Sequence, residues 1–380
     1  MIHFHRRGAG RCTAAKEHGV RIAFLGDGSL NHVRRWVEYF HERAHEVLLL
    51  SFEPIEGCPF PARRLTGHLP TKLFGYLSAL GSIRRELGTF RPDLVNALYL
   101  GGYGFVAARS GVRPLAVSSL GSDLLVDYPA SMVHRLQIRS VLRSADLVIT
   151  DADELSRIAI SIGASPAKIL KAYMGIDERV FFSRESARSE APPAGGRPRV
   201  VSTRNLHPIY DVGLLVEAAP WVRERLDALF VICGAGPDRE RLEERVSRLN
   251  LTPIFAFRGT LSSEEIAREL RAADVYVSTS KSDSTSVSLL EAMASGAIPV
   301  VTDLPANREW ITDGENGLIV KERTPRALAA AILQVLESPD FVAGVREINY
   351  LVIGERGLWR DNMKRVEEAF LALTRKSAEH

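Results

Sequence analysis

Residues 277–301 place hydroxyls, carboxylates and small apolar side chains in an order that can do chemistry. Asp283 is followed by Ser284, Thr285 and Ser286, then by the apolar-rich run Val287-Ser288-Leu289-Leu290 and by Glu291. Short hydroxyl residues ahead of an apolar run mark a helix start. The first amides of such a helix lack intrahelical partners, and its dipole adds about half a positive charge, so its mouth is an anion site fit for a diphosphate. Asp283 stands at that mouth. Glu291 lies roughly 12 Å further along a helix axis, just over two turns on, so the two carboxylates share a face. Carboxylates accept well from paired hydroxyls. The set suits a ligand with hydroxyls at both ends and charge in the middle, the shape of a nucleotide sugar.

The flanking pattern says what must position these residues. Short apolar runs recur at Arg21–Leu25, His45–Leu50, Asp93–Ala97, Leu115–Ser118 and Ala145–Thr150, with Gly-rich turns and helical spacing between them. The rhythm restarts at Arg199–Thr203, Leu229–Cys233, Pro253–Phe257, Val275–Thr279 and Ile298–Thr302. Strand, turn, helix, strand is the βαβ unit of a parallel sheet. Between the two series, Glu190-Ala191-Pro192-Pro193-Ala194-Gly195-Gly196 is pattern-free and reads as a linker. The expected organisation is an extension over 1–19, a first Rossmann-like α/β domain over 20–184, a linker over 185–198, a second such domain over 199–355 and a terminal helix over 356–380. Doubly wound domains bind ligands at the carboxyl ends of their strands, so the shared cleft is the expected site.

Composition agrees with this class. The chain has 380 residues, 46% hydrophobic and 25% charged, which excludes wholesale disorder. No stretch approaches ~18 uninterrupted apolar residues, which excludes a spanning helix. Cys12, Cys58 and Cys233 lie too far apart for a disulfide framework or zinc knuckle, and the default compartment is reducing, hence cytoplasmic. Residues 20–184 carry 20 basic and 16 acidic side chains, and residues 197–380 carry 24 and 27. A basic first half expects a negative partner. Residues 1–19 lack the apolar core of a secretory signal. Gly26-x-Gly28 is followed by Asn31 rather than a third glycine, so the dinucleotide fingerprint fails.

The site segment and its flanks resemble a known family. Asp283, seven residues, Glu291, then Ala292-Met293-Ala294-Ser295-Gly296 and Pro299-Val300-Val301 resemble the acid-x7-Glu signature of the retaining family 4 glycosyltransferases. Leu270-Arg271-Ala272-Ala273-Asp274-Val275 and Asp313-Gly314-Glu315-Asn316-Gly317-Leu318-Ile319-Val320 extend the match. Arg91-Pro92-Asp93, Gly121-Ser122-Asp123 and Gly175-Ile176-Asp177 carry it into the first half, and Trp359 with the helix after it resembles the family's terminal helix.

The resemblance implies a GT-B architecture and transfer of a sugar from a nucleoside-diphosphate sugar, without cofactor or metal. It implies that Glu291 meets the donor ribose, Asp283 the donor sugar, and the amides of Thr285, Ser286 and Val287 the phosphates. Arg204 matches the phosphate-binding arginine, Gly234 and Gly236 the turn beside the nucleotide, Arg258 the base-side strand, and Gly28 the loop approaching from the first domain. UDP-sugars are favoured over GDP-sugars. The acceptor would be a glycan or a lipid-linked sugar in bacterial surface polysaccharide or glycolipid synthesis, met on the side of His32 and Asp123. Asp123 also reads as a helix cap, and His32 as an ordinary exposed histidine.

Three departures stand out. The first acid is Asp rather than Glu. Ile209, with Tyr210 next, occupies the place of the family lysine, for which Lys281 is a candidate substitute. Asn96 to Tyr99 holds no histidine. Two other readings therefore accompany transfer: a non-catalytic nucleotide-sugar-binding protein, and a sugar-nucleotide epimerase. Residues 63–87 interleave Arg63, Arg64, Lys72, Arg84 and Arg85 with Leu65, Leu69, Leu73, Phe74, Leu77 and Leu80. They read either as a basic amphipathic helix on an anionic membrane, at the inner face of the cell membrane, or as a core-packed helix. Nucleic acid is not an expected partner.

Overall fold

The computed structural model describes residues 19–55, 57–65, 78–182 and 196–378. The expected extension over 1–19 and the linker over 185–198 fall almost wholly outside them. Among the described residues the first sheet has seven strands: β1 Arg21–Leu25, β2 Glu46–Ser51, β3 Ala62–Arg64, β4 Leu94–Leu98, β5 Leu115–Ser118, β6 Leu147–Thr150 and β7 Ile169–Lys171. The second has six: β8 Arg199–Ser202, β9 Leu229–Cys233, β10 Phe255–Gly259, β11 Val275–Ser278, β12 Ile298–Thr302 and β13 Leu318–Val320. Every pairing is parallel. Ile22–Leu25 and Val47–Leu50 are buried throughout, as strands covered on both faces must be. Ala23 and Leu25 enter the core on one face, and Ile22 and Phe24 the core on the other. This is two doubly wound α/β domains, the GT-B arrangement.

The helices that pack on or beside these sheets include α1 Asn31–Glu42, α2 Leu80–Phe90, α3 Met132–Ser144, α4 Ser263–Arg271, α5 Val287–Ser295 and α6 Trp359–Ala378. The strand orders are β3-β2-β1-β4-β5-β6-β7 and β10-β9-β8-β11-β12-β13. The order reverses between β1 and β4 and between β8 and β11, and such switch points open a crevice at the carboxyl edge. The loop after β8 carries Arg204 and the loop after β11 carries Asp283, so topology alone sets those two side by side.

The chain crosses between domains twice, and the crossings pair. Ile176 N–H donates to the Gly357 carbonyl at 2.8 Å and Trp359 N–H to the Ile176 carbonyl at 3.0 Å. Helix α6 then lies on the first domain, where Trp359, Met363, Val366 and Phe370 join the core around Trp36 and Phe40. Phe370 stacks on Phe40 with ring centres 5.2 Å apart. Glu367, only 6% exposed, accepts from Tyr39 Oη at 3.0 Å, His45 Nε2 at 3.0 Å and Arg43 Nε at 2.6 Å. Burial alone would raise its carboxyl pKa, but these donors outweigh burial and hold it below the ordinary range.

The basic stretch from Arg63 is not one helix. Arg63 and Arg64 belong to β3, because Leu50 of β2 pairs with Arg63 and Ser51 with Arg64. Helix α2 buries Ile83 and Leu87, and Leu65 is also buried. The apolar residues of this stretch thus face the core wherever they are described, and residues 66–77 lie outside the described set.

The Glu367 cluster gives a stability prediction. Glu367→Ala leaves buried donors without an acceptor, at a cost of about 2–3 kcal/mol, and Tyr39→Phe costs about 1 kcal/mol. Because its carboxyl pKa is lowered on folding, the Glu367 contribution is complete above the ordinary carboxylate range and fades as the pH falls through it. Urea melts of both variants at neutral and acid pH measure this. Equal stability of Glu367→Ala and the parent at neutral pH would contradict it.

Candidate functional site

Helix α5 sets the floor of the cleft. Its N-cap is Ser286, whose side chain makes no cap hydrogen bond. The Ser286 hydroxyl accepts instead from Arg204 Nη1 at 2.7 Å, and Ser288 Oγ accepts from the same nitrogen at 2.9 Å. Arg204 Nη2 meets the Asp283 carboxylate at 2.7 Å, with the two side chains 8% and 15% exposed. The guanidinium lies over the Tyr210 ring, 4.1 Å from its centre. Burial opposes its charge, and the Asp283 carboxylate and the Tyr276 and Tyr210 oxygens outweigh that, so its pKa is raised. Asp283 is itself pushed up by burial, against the pull of Arg204.

Arg204 is held from behind by two glycines. A Cβ on Gly234 would lie 2.6 Å from the Arg204 carbonyl oxygen, and one on Gly236 would lie 2.3 Å from that of Leu206. No other residue type lets the turn after β9 approach the loop after β8 so closely. The family resemblance sets these glycines beside the nucleotide; they also shape the strand end that carries the arginine.

One cavity of about 370 Å³ collects most of the expected residues: Arg204, Asp283, Thr285, Ser286, Val287, Glu291 and His32 all line it. His32 comes from α1 of the first domain, and burial lowers its pKa against the pull of Asp27. A neighbouring cavity of about 450 Å³ shares His32, Met174, Val287 and Glu291 with the first. Glu291 therefore stands where the two meet. Burial lifts its carboxyl pKa to about 7, opposed by Arg35 and Arg204.

Besides the two glycines, four expected residues line neither cavity. Lys281 Nζ turns to Asp211 at 3.4 Å. Arg258 pairs with Glu269 at 3.3 Å. Gly28 N–H donates to Ser51 Oγ at 2.9 Å. Asp123 is wholly buried and accepts from Ser119 Oγ at 2.6 Å and from the amides of Leu100 and Leu124 at 2.9 Å. It ties the loop after β4 to the loop after β5, and the N-cap of the helical turn that follows is Ser122 rather than Asp123.

Two residues that the sequence did not single out join the site. Arg35 follows His32 by one turn of α1, a spacing that puts both on one face. Its guanidinium lies over Trp359, 4.3 Å from the ring centre, and its Nη2 is buried without a partner. Asp151, after β6, is 5% exposed. Its Oδ2 accepts from Ser284 Oγ at 3.2 Å, and its carbonyl accepts from the Thr285 hydroxyl. Burial raises its pKa well above the usual value, and Asp283 adds to this. No short motif marks Asp151, because its partners lie more than a hundred residues away.

Known proteins share this sequence pattern and fold. Residues 183–351 match the family described as Glycosyl transferases group 1, and residues 21–152 match Glycosyl transferase 4-like. A D-inositol 3-phosphate glycosyltransferase of Geodermatophilus obscurus is 30% identical over 234 residues, 58% of this chain and 52% of that protein. The chain spans about half the length of the curated relatives it matches. The fold matches sucrose-phosphate synthase from Thermosynechococcus elongatus with a TM-score of 0.79 at 17% identity, covering 93% of this chain and 99% of that one. It also matches an Anabaena protein solved with UDP-glucose, with a TM-score of 0.77 at 18% identity, covering 93% and 100%.

Glu291 gives a pH prediction. Its folded pKa of about 7 lies above the ordinary 4.5, so the native state keeps a proton that the unfolded chain releases. Stability is full below the ordinary value and falls as the pH rises to about 7, by at most about 1.4 kcal/mol per unit. In Glu291→Gln this part of the pH dependence is absent. Thermal melts of both proteins across that range test it, and parallel curves would refute it.

Proposed function

This chain belongs to the family 4, group 1 glycosyltransferases of GT-B fold, and on that premise we propose that it moves a sugar, with retention, from a nucleoside-diphosphate sugar to a glycan or lipid-linked acceptor. The observation that carries the reading is Arg204, held at the mouth of α5 by Ser286, Ser288 and Asp283. Guanidinium and helix N-terminus together form a diphosphate site. The donor's ribose would lie by Glu291, between the two cavities, and its sugar by Asp283. UDP is the favoured nucleotide, consistent with the UDP-glucose in the Anabaena neighbour.

In the reaction, the bond from the anomeric carbon to the diphosphate oxygen breaks and a bond to the acceptor oxygen forms on the same face. The acceptor's proton passes to the leaving phosphate. Charge grows on the diphosphate, and Arg204 with the amides at the start of α5 is placed to neutralise it. These groups do the work of a cation, so the transfer is proposed to be metal-independent. Arg204 must leave Asp283 to take up the diphosphate, which frees that carboxylate for the sugar's hydroxyls. Tyr210, next to the Ile209 that stands in place of the family's lysine, stacks against the Arg204 guanidinium and helps to hold it in place.

The test is a melting panel with UDP, GDP, ADP, TDP and CMP in EDTA. One nucleoside diphosphate stabilises the chain by about 2.7 kcal/mol at a hundred times its Kd. Arg204→Ala and Glu291→Ala remove the gain. A folded chain that no nucleotide stabilises would overturn the reading.

A further inference from the structure

Charged groups approach Glu291 from each element around it, and most of them are already paired. Arg204, from the loop after β8, is bound to Asp283 at the mouth of α5. In the crossing segment Arg179 Nη2 meets Asp177 at 2.9 Å. Arg360 on α6 meets Glu178 at 3.2 Å. Asp151 accepts from Ser284. Helix α1 supplies the rest: His32 and Arg35, with Glu38, Tyr39 and Glu42 further along it. The Tyr39 hydroxyl is given to Glu367. Arg35 is the exception among the arginines. Among the described residues its hydrogen bond runs to a carbonyl, that of Gly175, from Nη1 at 3.3 Å, and its Nη2 is buried without a partner.

Arg35 is nonetheless fixed in place. The Gly175 carbonyl holds one end of the guanidinium and the Trp359 ring lies 4.3 Å from it. Arg35 and Glu291 both line the larger cavity. A guanidinium is not deprotonated in proteins, so its charge is present at every working pH. Burial opposes that charge, and Asp177 and then Glu291 support it. Of the two cations that oppose the effect of burial on Glu291, Arg35 acts more strongly than Arg204, whose charge Asp283 already engages.

We propose that Arg35 is a positioning residue of the donor site, a fixed countercharge that keeps the Glu291 carboxylate ready to accept from both hydroxyls of a nucleotide's ribose. This rests on the reading of Glu291 as the ribose contact. An ionised carboxylate is an acceptor only, so it serves two hydroxyls at once. A protonated one must place its own hydrogen and gives up part of that capacity. Burial drives Glu291 toward the protonated form, and Arg35 pulls against it. The arginine belongs to the first domain and the carboxylate to the second, so both domains are needed to complete the ribose site.

Two measurements test this, one of them without ligand. Arg35→Met keeps an apolar stem against Trp359 and removes the charge; Arg35→Lys keeps the charge; Arg35→Gln repeats the comparison if the Met variant does not fold. In ligand-free melts the destabilisation of Arg35→Met relative to the parent is expected to grow from pH 6 to pH 8.5, as Glu291 ionises. In a Glu291→Gln background that growth is expected to vanish, whereas a dependence due to His32 would survive. The second measurement is the affinity for UDP-glucose, whose doubly esterified diphosphate keeps its charge over this range. Loss of Arg35 moves the pH midpoint of binding up by about one unit, so Arg35→Met binds about fivefold more weakly at pH 7 and within about twofold of the parent at pH 8.5. Arg35→Lys stays near the parent's midpoint. A destabilisation equal at all pH values, or one whose growth survives Glu291→Gln, overturns the inference and leaves the donor reading standing. So does an affinity loss that is the same across the pH range, which would make Arg35 a packing residue only. A parent that binds no sugar nucleotide, with ligand-free coupling intact, overturns the donor reading and the ribose role with it.

Discussion

The buried charge of Arg204 is the constraint around which the cleft is arranged. A guanidinium only 8% exposed cannot stand in a protein interior without partners, because the cost of leaving it uncompensated is several kcal/mol. In this chain the partners come from four places: the carboxylate of Asp283, the hydroxyls of Ser286 and Ser288, and the ring of Tyr210. All but Tyr210 lie in the segment from the end of β11 into α5. The strand order then does the rest, since β8 and β11 are neighbours at the switch point.

The same constraint accounts for the acids. Asp283, Asp151 and Glu291 all line the cavity of one arginine, and burial raises the pKa of each. Burial takes each carboxyl out of water and so disfavours its charged form, and at Asp151 the neighbouring Asp283 adds to this. An anionic ligand entering such a cleft competes with internal carboxylates for Arg204. In the proposed reading a diphosphate would replace Asp283 as the counter-ion of Arg204, which keeps the guanidinium compensated throughout.

A second set of contacts joins the two domains. Asp151 in the first domain engages Ser284 and Thr285 in the second, directly ahead of α5. The paired crossings at Ile176 and Gly357–Trp359 tie the domains at the other end. Helix α6 adds Trp359 and Phe370 to the first domain's core, so the last helix of the chain belongs, by packing, to its first half.

Much was legible in the chain itself. Continuous apolar strands with Gly-rich turns could only build parallel sheets. The run from Asp283 through three hydroxyl residues to Glu291 could be placed at a helix mouth because those types cap helices whatever surrounds them. His32 was legible at the entry to the first helix, and a three-residue spacing from it would have found Arg35 on the same face. What spacing does not carry is contact across the chain. Lys281 and Arg258 read as donor ligands, and the fold pairs them with the carboxylates of Asp211 and Glu269 outside the two cavities. Asp123 looked like an acceptor contact until burial turned it inward. Asp151 reaches the site only because β6 ends opposite the loop after β11. The basic stretch from Arg63 has helical composition, yet its start pairs with β2. In each case the deciding term was which partner the fold brings within hydrogen-bond reach, a long-range property of strand order that residue types at fixed spacing do not contain.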